Sequence, residues 1–393
     1  MNNNFKYYTP TKVIFGKATE GQAGELVKEF KGTKVLVHYG KGSVVKSGLL
    51  DRVCKSLDDA GIPYVTLGGA VPNPHLSLVY EGIELCRKEG VDFLLAVGGG
   101  SAIDSAKAIG YGVKYDGDVW DLYLKKEPPK DALPLGVVLT IAATGSEMSD
   151  SSVITNEDGW IKRGLSSDFG RPKFAIMNPE LTYTLPEYQT MSGCTDIIMH
   201  TLERFFSHEK DTELTDYLAE GVLKTTMQNA RILLKDPTNY NARAEVFWAG
   251  SLSHNGLTGC GRSGDWACHQ LEHELSGMFD VTHGAGLAAV WGSWARYVYK
   301  ADVDRFVKLS VDVLGVPMDY ENPENTVLEG IEAMEDFFRS IHMPVSISEL
   351  GIELTDAQIE ELAYKCSFFD KRQIGGVMKL GRHDMEEIYR MAR

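Results

Sequence analysis

The chain lacks any apolar run long enough to cross a bilayer. Its first residues, Met1-Asn2-Asn3-Asn4-Phe5, lack the basic stretch and apolar core of a secretion signal. The six cysteines (Cys54, Cys86, Cys194, Cys260, Cys268 and Cys366) form no Cys-x-x-Cys pair and no regular framework. That spacing argues against a disulfide scaffold and a structural zinc site, and it suits free thiols in a reducing cytoplasm. Positive charge is scarce: 40 Lys and Arg against 55 Asp and Glu leave a net −15. An acidic chain of this kind is not built to hold nucleic acid or an anionic membrane surface. Repeats, low-complexity segments and long linkers are also missing. What remains is the profile of an ordinary globular protein, 43% hydrophobic and 24% charged, with 393 residues for two domains.

The first half alternates strand and helix signals. Short apolar runs at 35–39, 64–67, 93–97, 135–139 and 174–177 read as strands, with helix-length segments such as Leu49–Ala60 and Leu76–Lys88 between them. Continuous apolar strands separated by helices predict an α/β unit with a parallel sheet covered on both faces. Beyond Pro186 the period is helical almost throughout, over Leu214–Leu234, Ala242–Leu257, Ala301–Leu314, Val327–Ile341 and Asp356–Cys366. The expected domains are an α/β domain over 1–186 and an all-helical domain over 187–393.

Two glycine-rich turns stand where phosphates bind. Gly98-Gly99-Gly100-Ser101 leaves the strand ending at Val97, and Ser101 to Asp104 fits a capping box opening a helix. Free N–H groups and the helix dipole would meet a pyrophosphate there, although a plain strand-to-helix turn explains the same residues equally well. Thr144-Gly145-Ser146-Glu147 reads as a second capping box after the next strand. Two such turns at neighbouring strand ends strengthen each other. A third turn, Gly40-Lys41-Gly42-Ser43, starts like a Gly-x-Gly-x-x-Gly fingerprint but has Val45 in the last position. It carries no acidic residue for a ribose 2′-hydroxyl; small residues beside Lys41 suit a 2′-phosphate better.

Metal-ligand residues gather in the helical half. Asp196 and His200 are four apart, as are His269 and His273, so each pair shares a helix face. His283 precedes the small-residue run Gly284-Ala285-Gly286. A carboxylate with imidazoles suits Zn²⁺ or Fe²⁺; satisfied core histidines account for the spacing about as well. Gln270 stands where a metalloprotease helix carries glutamate, so that chemistry is not expected.

Together these segments resemble the iron-containing (group III) alcohol dehydrogenases, in the NADPH-dependent butanol dehydrogenase-like branch. The matching stretches run in family order: 11–16, 98–101 with Asp104 to Lys107, 143–148, 178–180 with Thr184 to Pro186, 196–200 and 264–287. The resemblance implies a dehydroquinate synthase-like fold, with Asp196, His200, His269 and His283 as ligands of one divalent metal, iron or zinc. It implies NADP, with NAD possible, held by Gly98, Gly99, Gly100, Ser101, Asp104, Thr140, Thr144, Asn73, Lys162 and Thr184, and by Gly40, Lys41, Gly42 and Ser43 at the adenosine ribose. Relatives that prefer NAD tend to carry aspartate at the position of Gly40. Lys41 departs from a glycine-rich pattern at its position.

The implied reaction moves a hydride between NAD(P)H and a small primary aldehyde or alcohol. His273 is assigned to a proton relay or to orientation, and Asp104 to the nicotinamide end, with helix capping as its other explanation. A homodimer pairing through the strand around Val13 to Phe15 is also implied. The alternative is a same-fold lyase of the dehydroquinate synthase type that uses its cofactor transiently; the apolar surroundings of 196–200 and 266–273 disfavour its anionic substrate. A metal-dependent hydrolase leaves the glycine turns unexplained.

Overall fold

The computed structural model describes residues 4–393; Met1 to Asn3, the start of the stretch examined for a secretion signal, lie outside them. The described residues form two compact units, one over Tyr8–Leu185 and one over Pro186–Arg393 joined by residues 4–7.

The sheet unit runs β1 (Lys12–Phe15), α1 (Ala23–Glu29), β2 (Val35–Gly40), α2 (Ser43–Lys46), α3 (Leu49–Asp59), β3 (Tyr64–Ala70), α4 (Leu76–Glu89), β4 (Phe93–Gly98), α5 (Gly100–Lys114), α6 (Val119–Tyr123), β5 (Leu135–Leu139), β6 (Ser151–Asn156), β7 (Ile161–Ser166) and β8 (Phe174–Met177). Six strands make one parallel sheet in the order β1-β8-β5-β4-β2-β3. In the middle, Leu95 of β4 stands opposite Val37 of β2 and Gly136 of β5. Every residue of β4 is buried, as a strand covered on both faces must be. On one face Val35, Val37, Phe93 and Leu95 pack with Leu26 and Val27 of α1 and Val53 and Leu57 of α3. On the other, His38 is a core histidine: Nδ1 bonds the Leu67 carbonyl and Nε2 the Ser105 hydroxyl of α5, and burial lowers its pKa to about 4.

The strand order creates a switch point. After β2 the chain goes outward to β3; after β4 it goes the other way, to β5. The carboxyl ends of β2 and β4 therefore flank the crevice where open parallel sheets take ligands.

The antiparallel hairpin β6–β7 has no signal in the hydrophobic pattern, since its strands carry Ser151, Ser152, Asn156, Lys162 and Arg163. Buried polar groups anchor it. Lys107 of α5 sits wholly inside the unit and donates to the Ser146 hydroxyl at 2.9 Å, the Ser149 carbonyl at 3.0 Å and the Ser151 carbonyl at 2.7 Å. One turn earlier, Asp104 accepts from the Ser146 hydroxyl at 2.5 Å and from the Val153 N–H at 2.9 Å. Burial pushes the Lys107 ammonium down to about 8 against the pull of Asp104.

The helical unit contains α7 (Glu187–Phe205), α8 (Glu213–Lys235), α9 (Tyr240–His254), α10 (Ala267–Phe279), α11 (His283–Val298), α12 (Val303–Lys308), α13 (Pro323–Ser340), α14 (Asp356–Cys366) and α15 (Arg382–Ala392). The helix expected over Ala301–Leu314 is interrupted: α12 passes into a π-turn over Leu309–Val313. No helix among the described residues is long and apolar enough to cross a membrane. α10 starts abruptly, because Trp266 is in the left-handed region at φ 67°. Asp265 holds that start in place, accepting from Ala267 N at 2.9 Å, Gly376 N at 2.7 Å and Val377 N at 2.8 Å. Burial and the Glu203 charge nevertheless raise its carboxyl to about 6.

Two stability measurements follow. Lys107→Met strands Asp104 and three acceptors in the interior, and should cost about 3 kcal/mol in urea unfolding; a loss under about 1 kcal/mol would contradict the anchoring role. Folded Asp265 holds its proton more tightly than the unfolded carboxyl, near 3.8. Its share of stability is thus present at low pH and is lost as pH rises through about 6. The stability of wild type relative to Asp265→Asn should fall by about 2 kcal/mol between pH 4 and 6. A flat difference would show that burial does not hold the proton.

Candidate functional site

The residues expected at a phosphate-binding edge stand at the carboxyl ends of adjacent strands. Asn73 follows β3, Gly40 to Ser43 follow β2, Gly98 to Ser101 follow β4, and Thr140 to Thr144 follow β5. Thr184 follows β8 and is exposed. Lys162, on the hairpin, donates to Asn73 Oδ1 at 2.9 Å, both side chains being buried. Gly100 permits a close approach, for a Cβ there would lie 2.5 Å from Thr144 Oγ1. The two turns therefore pack as one cradle, with the first N–H groups of α5 at its edge. Lys41 is exposed where β2 leads into α2.

Neither expected capping box forms. Helix α5 begins at Gly100, capped by Gly99 with no side-chain bond. Asp104 lies inside the helix, and its carboxylate oxygens accept from Ser146 and Val153 instead. Thr144 Oγ1 accepts from Ser146 N at 3.2 Å, but no helix follows. Gly145 is left-handed at φ 62°, and Ser146 and Ser149 bond Lys107. The residue types that suggested caps serve a buried network.

The Asp/His residues meet inside the helical unit. Asp196 and His200 lie on α7, whose residues from Thr190 to Phe205 are all buried. His269 lies in the first turn of α10, and His283 is the first residue of α11. Gly284 lets α11 approach α7: a Cβ there would lie 2.0 Å from the Ser192 carbonyl oxygen. Around Asp196 Oδ1 stand His200 Nδ1 at 3.2 Å, His283 Nε2 at 3.7 Å and His269 Nε2 at 3.8 Å. Glu272, His273 and His283 also bring ligand atoms within 4.8 Å of one another, and there His283 Nδ1 is hydrogen-bonded to Glu272. The His273 ring stands 5.8 Å from that of His283.

Asp196 is 2% exposed, and its Oδ1, His200 Nδ1 and His269 Nε2 are buried with no hydrogen-bond partner within the protein. Such orphaned groups cost about 1–3 kcal/mol each unless something fills the space between them. One carboxylate oxygen and two imidazole nitrogens within 4.8 Å, with His283 beside them, fit a divalent metal of the iron or zinc type. Electrostatics agrees. Burial opposes charge on His269, but the Asp196 and Glu203 carboxylates outweigh it and raise the imidazole to about 9. Burial and the neighbouring His254, His269, Arg204 and His283 drive His200 well below the usual range. The cluster thus favours one positive charge beside Asp196.

Sequence reasoning missed the surroundings. Trp266 stands edge-on to His269 and His200, with the Arg204 guanidinium 4.5 Å over its ring. The ring of His254 lies 4.1 Å from that of His200. Glu203 and Glu272 back the rings of His269 and His283. None has a motif; each is an ordinary residue on an amphipathic helix or turn until the helices pack.

Comparison with known proteins agrees with this geometry. The family described as "Iron-containing alcohol dehydrogenase" matches residues 10–179, and "Fe-containing alcohol dehydrogenase family, C-terminal" matches residues 190–393. The chain is 42% identical to the probable NADH-dependent butanol dehydrogenase 2 of Bacillus subtilis, over 98% of this chain and 99% of that one. It is 34% identical to the NADPH-dependent aldehyde reductase YqhD of Escherichia coli, over the whole of both chains. The crystal structure of NADH-dependent butanol dehydrogenase A from Thermotoga maritima superposes with a TM-score of 0.95 at 39% identity, covering 99% of this chain and 98% of that one. A switch-point cradle on a parallel sheet, an Asp/His cluster in a helical unit and matches along nearly the whole chain have one reading: this protein belongs to the iron-containing alcohol dehydrogenases, in the butanol dehydrogenase-like branch, and is an oxidoreductase of the alcohol dehydrogenase and aldehyde reductase type.

Proposed function

We propose that the enzyme interconverts small primary aldehydes and alcohols, drawing hydride from NADPH in preference to NADH. The observation that carries the reading is the set of partnerless buried donors on Asp196, His200 and His269. These three and His283 would hold one iron or zinc ion. Bound there, the metal supplies the Lewis acidity that polarises a substrate oxygen, and the nicotinamide supplies the hydride. Gly98 to Ser101, with Thr140 and Thr144, would seat the pyrophosphate, and Asn73, Lys162 and Thr184 would add contacts. We assign proton transfer at the substrate oxygen to an imidazole nitrogen of His273, which stands beside His283 on the same α10 face as His269. Asp104, with both carboxylate oxygens engaged, is a positioning residue that fixes the Thr144 turn.

The cofactor preference rests on Gly40 to Ser43. The turn has no carboxylate to meet a ribose 2′-hydroxyl, and Lys41 offers an exposed ammonium to a 2′-phosphate. The relatives divide on this point, those from Bacillus and Thermotoga being named for NADH and that from Escherichia coli for NADPH. We also assign the 1–186 segment to cofactor and the 187–393 segment to metal. We place the enzyme in the cytoplasm, where its six free cysteines stay reduced.

One assay tests the reaction: butanal reduction by chelator-stripped protein, then after adding Fe²⁺ or Zn²⁺, with NADPH and NADH in parallel. Activity should return only with metal, with kcat/KM for NADPH at least about tenfold above that for NADH. Gly40→Asp should reverse the preference, and His283→Ala should lower kcat by about 100-fold or more. Full activity without metal would remove the ligand assignment; an NADH preference in the wild type would remove the Lys41 argument.

We further propose a homodimer. β1 ends the sheet and, among the described residues, pairs only with β8, so its other edge can take the β1 of a second copy. Light scattering should give twice the chain mass, and Val13→Pro should shift it to the monomer. A wild-type monomer would refute the pairing.

A further inference from the structure

The metal reading accounts for one nitrogen on each ligand imidazole, and the other nitrogens of two of them meet buried carboxylates. Glu203 lies two turns beyond Asp196 on α7, on the same side of the helix. Its Oε1 accepts from the ring Nδ1 of His269 at 3.0 Å and from the backbone N–H of His269 at 2.9 Å. That N–H lies in the first turn of α10, where helix geometry gives it no partner. One oxygen therefore fixes both the main chain and the ring of this ligand, and Nε2 is left 3.8 Å from Asp196 Oδ1. Glu272, on α10, holds the ring alone of the ligand on α11. Its carboxylate bonds His283 Nδ1 and the Ser276 hydroxyl, and His283 Nε2 stands 3.7 Å from Asp196 Oδ1. The room for it comes from Gly286, where a Cβ would lie 2.9 Å from Glu272 Cγ.

Packing alone does not explain these side chains. Glu203 is 2% exposed and Glu272 0%, and an apolar residue of similar volume would fill either place without desolvating a charge.

We infer that Glu203 and Glu272 are positioning residues of the metal centre, each holding one ligand imidazole by Nδ1 so that its Nε2 is presented beside Asp196. The inference rests on the metal reading above. Each carboxylate fixes the Nδ1–H tautomer, restrains the ring and makes Nε2 a better donor. The two act on different ligands from different helices, so their effects should multiply.

The test measures Zn²⁺ binding to the full-length, metal-stripped protein by competition with a chromophoric chelator. Glu203→Gln and Glu272→Gln keep the size and an accepting oxygen but remove the charge. Each should weaken Zn²⁺ binding about 10- to 100-fold, and the double variant by about the product. The melting temperature of the metal-free protein should stay close to that of wild type. Wild-type Zn²⁺ affinity in both Gln variants overturns the inference, as does a lowered metal-free melting temperature with unchanged affinity, which is the signature of a purely structural role. If a Gln variant does not fold, Glu203→Asp and Glu272→Asp take its place; they retract the carboxylate by one methylene and should also weaken binding, and unchanged affinity again overturns the inference. Asp196→Ala is the control for the centre itself. Should that variant bind Zn²⁺ like wild type, the metal reading fails, an outcome distinct from failure of the two glutamates.

Discussion

A carboxylate buried among helices must be neutralised, and Asp196 imposes that condition on the helical unit. The groups that meet it are imidazoles, which carry a proton or donate a lone pair, so the same cluster accommodates either a proton or a divalent ion. The surrounding helices make sense in that light. α7 is buried along most of its length, α10 starts at a left-handed tryptophan held by Asp265, and α11 approaches through a glycine. Each brings an imidazole to Asp196. Glu203 and Glu272 extend the pattern outward by one layer, so that charge alternates from carboxylate to imidazole to carboxylate.

The sheet unit obeys a topological constraint instead. The strands of its large sheet are parallel and apolar, so they hold shape, and the residues suited to a ligand lie in the turns at their carboxyl ends. The change of direction between β2 and β4 decides which turns matter. The Asp104–Lys107 pair then fixes the turn that lacks helical support of its own, which explains why two charges sit in the core beside α5.

The strands of the large sheet were legible because burial on both faces leaves continuous apolar runs: 135–139 and 174–177 match β5 and β8 residue for residue. The hairpin β6–β7 was not, since its stabilising groups are polar and their partners, such as Asn73 for Lys162, lie far away in sequence. At the cluster, helical repeat paired Asp196 with His200 and His269 with His273, and the family resemblance singled out Asp196, His200, His269 and His283. Spacing could not tell a buried ligand from a solvated one, and it could not reveal Glu203, Glu272 or Trp266. The capping box misread at Asp104 has the same origin. Ser, Thr and Asp bond any nearby N–H, and a local pattern cannot show that the nearest one belongs to a strand some fifty residues on.

The placement of Asp196 and His200 one turn apart on α7 has a consequence for assembly. That half of the centre needs only a single helix, whereas the other two imidazoles come from segments made much later in synthesis. The proposed ion site is thus complete only where long-range packing delivers His269 and His283 to that local pair. A site divided this way would tie its affinity for an ion to completion of the native topology.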